Sequence, residues 1–164
     1  MRAPRPRGPC QCQRGHHTTF SASADAYVSQ DRPTTNFGSD AELRVAAPLN
    51  EQRTHLRFDV AGLDGTVLSA KLRLSPKGSS TTYAVHSVAS TSWNEKTITW
   101  STAPPLTAAV LATSAVAPDG WTEADVTSAV TTNGTISFGL DTTALNAVSL
   151  SSRETGALAP RPSS

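Results

Sequence analysis

What this chain lacks narrows its class. Aromatic residues make up only 5% of it, and no long stretch repeats apolar side chains at a 3.6-residue period, so amphipathic helices are excluded as its framework. No apolar run reaches the roughly 7–15 residues of a secretory h-region or the roughly 20 of a membrane-spanning helix. The sequence therefore offers neither signal peptide nor membrane partner. Cysteine is confined to Cys10 and Cys12, in a stretch too Arg- and Pro-rich to fold, so no disulfide framework exists to indicate a redox compartment. Catalytic signatures are missing too: there is no G-x-S-x-G, no H-E-x-x-H and no G-x-x-x-x-G-K-[ST]. The nearest thing to a catalytic pair is Glu123 with Asp125, two residues apart on one strand, without the cleft that separates glycosidase carboxylates by about 5–10 Å. The chain reads as a non-enzyme. Basic surplus is also absent where a nucleic-acid binder needs it: residues 19–159 hold nine Lys/Arg against thirteen Asp/Glu, a net charge of −4.

What is present is Ser, Thr and strict alternation. With 164 residues the chain makes one domain, large enough to bury roughly two-thirds of its unfolded surface. In RTHLRFDV, Thr54, Leu56 and Phe58 face one way while Arg53, His55, Arg57 and Asp59 face the other. SAKLRLSP repeats this, with Ala70, Leu72 and Leu74 inward and Lys71 and Arg73 outward. AGLDGT between them has the Gly and Asp of a tight reversal, which predicts a two-stranded unit with a basic outer face. Further short strands are expected at ADAYV, LRVAA with Arg44 outward, TTYAVHSV, AVLATSAV, TISFGLD and AVSLSS, of which TISFGLD and AVSLSS alternate in the same way. A short helical turn is expected after Asp125.

Two stretches stand apart. DRPTTNFGSDAE gathers Asp31, Asn36, Asp40 and Glu42, oxygen donors of the kind a structural calcium ion takes, although their spacing equally suits an Asx-rich surface turn. WNEKTITW places Trp93 and Trp100 close together, either as core bulk or as a platform for the apolar faces of sugar rings. Residues 1–18 are expected to be a disordered Arg/Pro-rich tail, residues 19–160 the folded domain, and residues 161–164 a second tail. Cys10, Cys12, His16 and His17 are spaced too poorly for structural zinc, so no metal is assigned to the first tail.

Six segments in order carry a family resemblance: Asp25 in ADAYV, Asn36 in NFG, Arg53 and Leu56 in RTHLRFD, the AKLRL strand, Trp93 to Trp100 in WNEKTITW, and Arg153 with Glu154 in SSRE. Together they make the chain similar to the DNRLRE domain, also classed as carbohydrate-binding module family 96. The resemblance implies an all-β, jelly-roll-like antiparallel β-sandwich, secreted and extracellular, non-catalytic, and part of a larger multidomain protein. It also implies an acidic, alginate-like polysaccharide as partner. The family's closing Pro-x-Leu-x-Val strand is replaced here by APRPSS, which implies a chain cut before the last strand.

A polyuronate bears a carboxylate on every sugar, and the planar Arg fork bonds carboxylate at two points. Arg53, Arg57, Lys71 and Arg73, with Arg44 and His55 beside them, are therefore the candidate ligand-binding residues, against the alternative of an ordinary solvated strand face. Asp25, Asn36, Leu56, Arg153 and Glu154 read as structural residues of the motif, tying loops together. The rival function is a spacer or adhesion domain of a secreted surface protein, built on the same sandwich.

Overall fold

The computed structural model describes residues 17–47, 49–78, 81–116 and 120–153. Nine strands follow in chain order: β1 (Ala24–Ser29), β2 (Glu42–Val45), β3 (Gln52–Val60), β4 (Lys71–Leu74), β5 (Thr81–Val88), β6 (Val110–Val116), β7 (Thr122–Asp125), β8 (Gly134–Asp141) and β9 (Val148–Ser151). A single 3-10 turn, Thr127–Ala129, follows β7 where the helical turn was expected. All pairings are antiparallel.

The larger sheet has the order β1-β3-β8-β5-β6. Opposite it lie two ribbons, β2-β9 and β4-β7, joined where the chain beyond β4 runs beside β9. That junction is a bridge between Pro76 and Leu150, flanked by the Lys77 N–H donating to Ser149 O and the Ser151 N–H donating to Ser75 O. The ribbons thereby act as one four-stranded layer ordered β2-β9-β4-β7.

Alternation produces the core between the layers. Leu56, Phe138, Leu140, Tyr83 and Val85 point in from the large sheet, and Leu43, Val45, Leu72, Leu74, Ala124, Val148 and Leu150 from the other. Tyr83 can be buried because its hydroxyl pairs with Thr122 Oγ1 at 3.2 Å.

The inward residues of the RTHLRFDV and SAKLRLSP strands are those expected, but the two strands do not form a hairpin. β3 pairs with β1 and β8, whereas β4 pairs with β7 in the opposite layer. The physical reason lies in the connection: residues 61–70 are far longer than the two-residue loop that closes a hairpin, and they carry the chain from one layer to the other. Gly62 at φ 76° and Gly65 at φ 92° still serve as turn residues along this crossing.

A second apolar cluster sits on the outer side of the large sheet, where Ala24, Ala26 and Val28 of β1 pack under Trp93 and Ile98, with Trp100 and Ala103 at its margin. The β5–β6 connection forms this roof. Its fit over β8 is close, since a Cβ on Gly139 would collide with the Leu106 side chain.

Candidate functional site

The roof decides which sheet surface meets solvent. On β3, His55 is fully buried, not beside water with the cations as expected, and its Nε2 lies 3.0 Å from Pro104 O. Burial holds its pKa below the ordinary value, with the Pro104 bond opposing and the Arg53 charge adding, so the ring is neutral and Nε2–H donates. Arg57 is half-buried: it donates to the carbonyls of Thr91 and Trp93 and lies 5.2 Å from the Trp93 ring centre. Arg53 donates to Glu51 at 2.7 Å and stacks 5.1 Å from the Trp100 centre. Trp93 is the core residue of the tryptophan pair, 7% exposed with its indole N–H donating to Ser137 Oγ, while Trp100 remains half-exposed.

The six candidate cationic positions consequently do not share a face. Arg53, His55 and Arg57 project into the roof of the large sheet, whereas Arg44, Lys71 and Arg73 project from the far side of the other layer. The expectation of one basic surface rested on the β3–β4 hairpin and fails with it.

The open face is that of the four-stranded layer. Its register forms rows: Arg44, Ser149 and Lys77; then Glu42, Ser151, Ser75 and Trp121; then Arg73 and Glu123; then Lys71 and Asp125. Rows lie about 6.7 Å apart along the strands and neighbouring strands about 4.8 Å apart. The middle of this surface carries only short side chains, Ser75, Ser149 and Ser151, between long ones on either side. It is a shallow serine-floored trough.

Ion pairs lace the rims. Lys71 meets Asp125 at 2.9 Å and Arg73 meets Glu123 at 2.9 Å, whereas Glu42 is shared by Arg44 and Lys77, each at 3.7 Å. One carboxylate thus faces two cations beside the serines, with Asp40 near Arg44 at the same end. Asp125 is held far below the usual carboxylate range, chiefly by hydrogen bonds from the Thr127 hydroxyl and N–H, then by Lys71. Trp121, exposed by 43%, carries the Arg73 guanidinium 5.4 Å from its ring centre. Sequence reading passed over Trp121, yet the alternation of WTEAD places Trp121, Glu123 and Asp125 on one face and Thr122 and Ala124 on the other.

The motif residues form a separate polar knot at the edge of the sandwich. Arg153 donates through Nε and Nη2 to both Glu95 oxygens, at 2.9 and 2.8 Å, and its backbone N–H donates to Asp25 Oδ2. The Asp25 N–H donates to Glu95 Oε1, and the Asn36 amide donates to the carbonyls of Glu95 and Ile98, both at 2.8 Å. Leu56 is a core residue, and Glu154 lies outside the described residues.

The oxygen donors of residues 31–42 are spread over separate environments. Asn36 is turned toward Glu95, Asp40 accepts from the Tyr27 hydroxyl, Glu42 faces Arg44 and Lys77, and Asp31 is exposed. The four donors do not converge, and among the described residues no three His, Cys, Asp or Glu side chains are placed to hold a metal ion. Cys10, Cys12 and His16 lie outside the described residues.

Comparison with known families matches residues 16–162 to the model of carbohydrate-binding module family 96. The chain belongs to that family. It is thus a non-catalytic carbohydrate-binding module with an all-β sandwich fold, of a kind typically found outside the cell. No curated protein matches the module. Among its described residues no helix is long and apolar enough to cross a membrane.

Proposed function

We propose that the module binds an acidic polysaccharide along the serine-floored trough, with the chain's carboxylates set against Arg44, Lys77, Arg73 and Lys71. The observation that carries this reading is the exposed Trp121 with Arg73 stacked on it, at the rim of the unroofed sheet face. An indole takes the apolar side of a sugar ring, and a guanidinium beside it takes that sugar's carboxylate at two points. Ser75, Ser149 and Ser151 leave room for an extended chain and present hydroxyls that both donate and accept. The surface pairs are weak where both partners touch water, so a polyuronate can exchange with Glu42, Glu123 or Asp125 at small cost.

That same pairing favours a second reading. Every candidate cation on this face already has an acidic neighbour, as expected of a spacer or adhesion domain with no glycan preference. Affinity electrophoresis of the full chain through alginate, pectate and neutral glucans separates the two. The acidic-ligand reading expects retardation by the uronates only, fading with added salt as the screening length falls toward about 3 Å at 1 M, and lost in Trp121→Ala and Arg73→Ala. Equal mobility in every gel supports the spacer.

A further inference from the structure

We propose a second sugar subsite on the opposite, roofed face, built for one uncharged pyranose unit and independent of the trough. A cleft of about 180 Å3 opens between the outer side of β1 and β3 and the roof segment around Trp100 and Pro104. Its lining is mixed, with Val28, Trp100, Ala103, Pro104 and Pro105 as the apolar members and His55 and the cation Arg53 as the polar ones. Pockets that enclose drug-sized molecules run to roughly 300–1,000 Å3, so this one suits a single small ring.

Its chemistry differs from that of the trough in charge. Arg53 is bound to Glu51 at 2.7 Å through both Nε and Nη2, so cation and carboxylate cancel at the wall of the cleft. A carboxylate on the ligand must displace Glu51 from that guanidinium. A hydroxyl on the rim of a neutral pyranose instead accepts from the guanidinium and leaves that pair intact. The half-exposed margin of Trp100, whose ring lies under Arg53, together with Pro104 and Pro105 offers the apolar edge for the ring's C–H side.

The cleft is also preformed. The neutral His55 ring pins Pro104 O at 3.0 Å, the Ser101 N–H donates to Pro33 O, and the Ala103 N–H donates to Thr99 O. A wall already held by hydrogen bonds has little ordering left to lose when a sugar arrives.

The test follows the three tryptophan indole N–H resonances of the full chain by NMR during titration with methyl glucoside, methyl mannoside, methyl galactoside and free glucuronate, at low and high salt. The expected result is a saturable shift of the Trp100 resonance with at least one neutral glycoside, unchanged by salt, with Trp121 unmoved. Arg53→Gln, which removes the cleft's cation, should weaken that response about tenfold through loss of one charge-assisted hydrogen bond. Three outcomes overturn the proposal: a Trp100 resonance indifferent to every neutral glycoside, a response to glucuronate alone that salt abolishes, or a folded Arg53→Gln protein with unchanged affinity. Failure of the trough is read separately, from Trp121 and polyuronate.

Discussion

Truncating Arg153 to Ala isolates the polar knot that joins three distant parts of the chain. The Glu95 side chain is 7% exposed while that of Arg153 is 43% exposed. Breaking a fully buried ion pair costs about 3–5 kcal/mol because a charge is stranded, and an exposed pair costs at most about 1. With one partner in each regime, and with the Asp25 N–H still donating to Glu95, the expected loss is about 2 kcal/mol. For a chain of this size that lowers Tm by about 4–8 °C. Acid then provides an internal check. Burial pushes the Glu95 carboxyl up, but the Arg153 bond, the Asp25 N–H and the charges of Arg153 and Lys96 together hold it below its ordinary value. A depressed folded pKa gives stability that is complete above the unfolded value near 4.3 and is lost as pH falls through the folded one. The wild-type advantage should therefore be full at neutral pH and shrink progressively below about pH 4. Circular-dichroism melts of both proteins across this range measure it. A variant that melts with wild type at pH 7, or a gap that persists undiminished in strong acid, refutes the reasoning.

Three further outcomes are expected. Gly38→Ala drives a Cβ into the Glu95 carbonyl oxygen, backbone that Asn36 also holds, so the urea midpoint should fall by the equivalent of about 1–3 kcal/mol; an unchanged midpoint means the loop yields freely. His55, with a pKa lowered by burial, contributes stability that is complete above its unfolded value near 6.5 and declines as pH falls, so His55→Leu should flatten the slope of urea midpoint against pH below 6.5. Charge reversal at the trough, Lys77→Glu, should leave stability within about 0.5 kcal/mol of wild type, while alginate affinity measured by calorimetry drops about tenfold or more.

Several strands were legible because they betray their buried side. Leu72 and Leu74 alternating with Lys71 and Arg73, or Val148 and Leu150 with Ser149 and Ser151, can pack against a core in only one orientation. Alternation names a face but not a partner, which is why β3 and β4 read as a hairpin and proved to lie in opposite layers. His55 was misplaced for a related reason. Within β3 it alternates with Leu56 like any outward residue, and only the distant arrival of Trp93 and Pro104 converts that outer side into an interior. The knot partners stood together in the family motif, yet the Arg153–Glu95 fork spans 58 residues and no local pattern announces it. Trp121 carried a readable signal, since WTEAD alternates as plainly as any other strand.

Roofing one sheet and leaving the other bare sets the trough apart from the packing that holds the sandwich together. Outward positions of the large sheet answer to the packing of Trp93 and Leu106, and changes there are felt as instability. Those of the four-stranded layer answer to solvent alone. Ser75, Ser149, Ser151, Lys77 and Arg44 are thus a surface on which ligand preference can drift, by natural substitution or by a designed library, while the barrier against unfolding stays where it is.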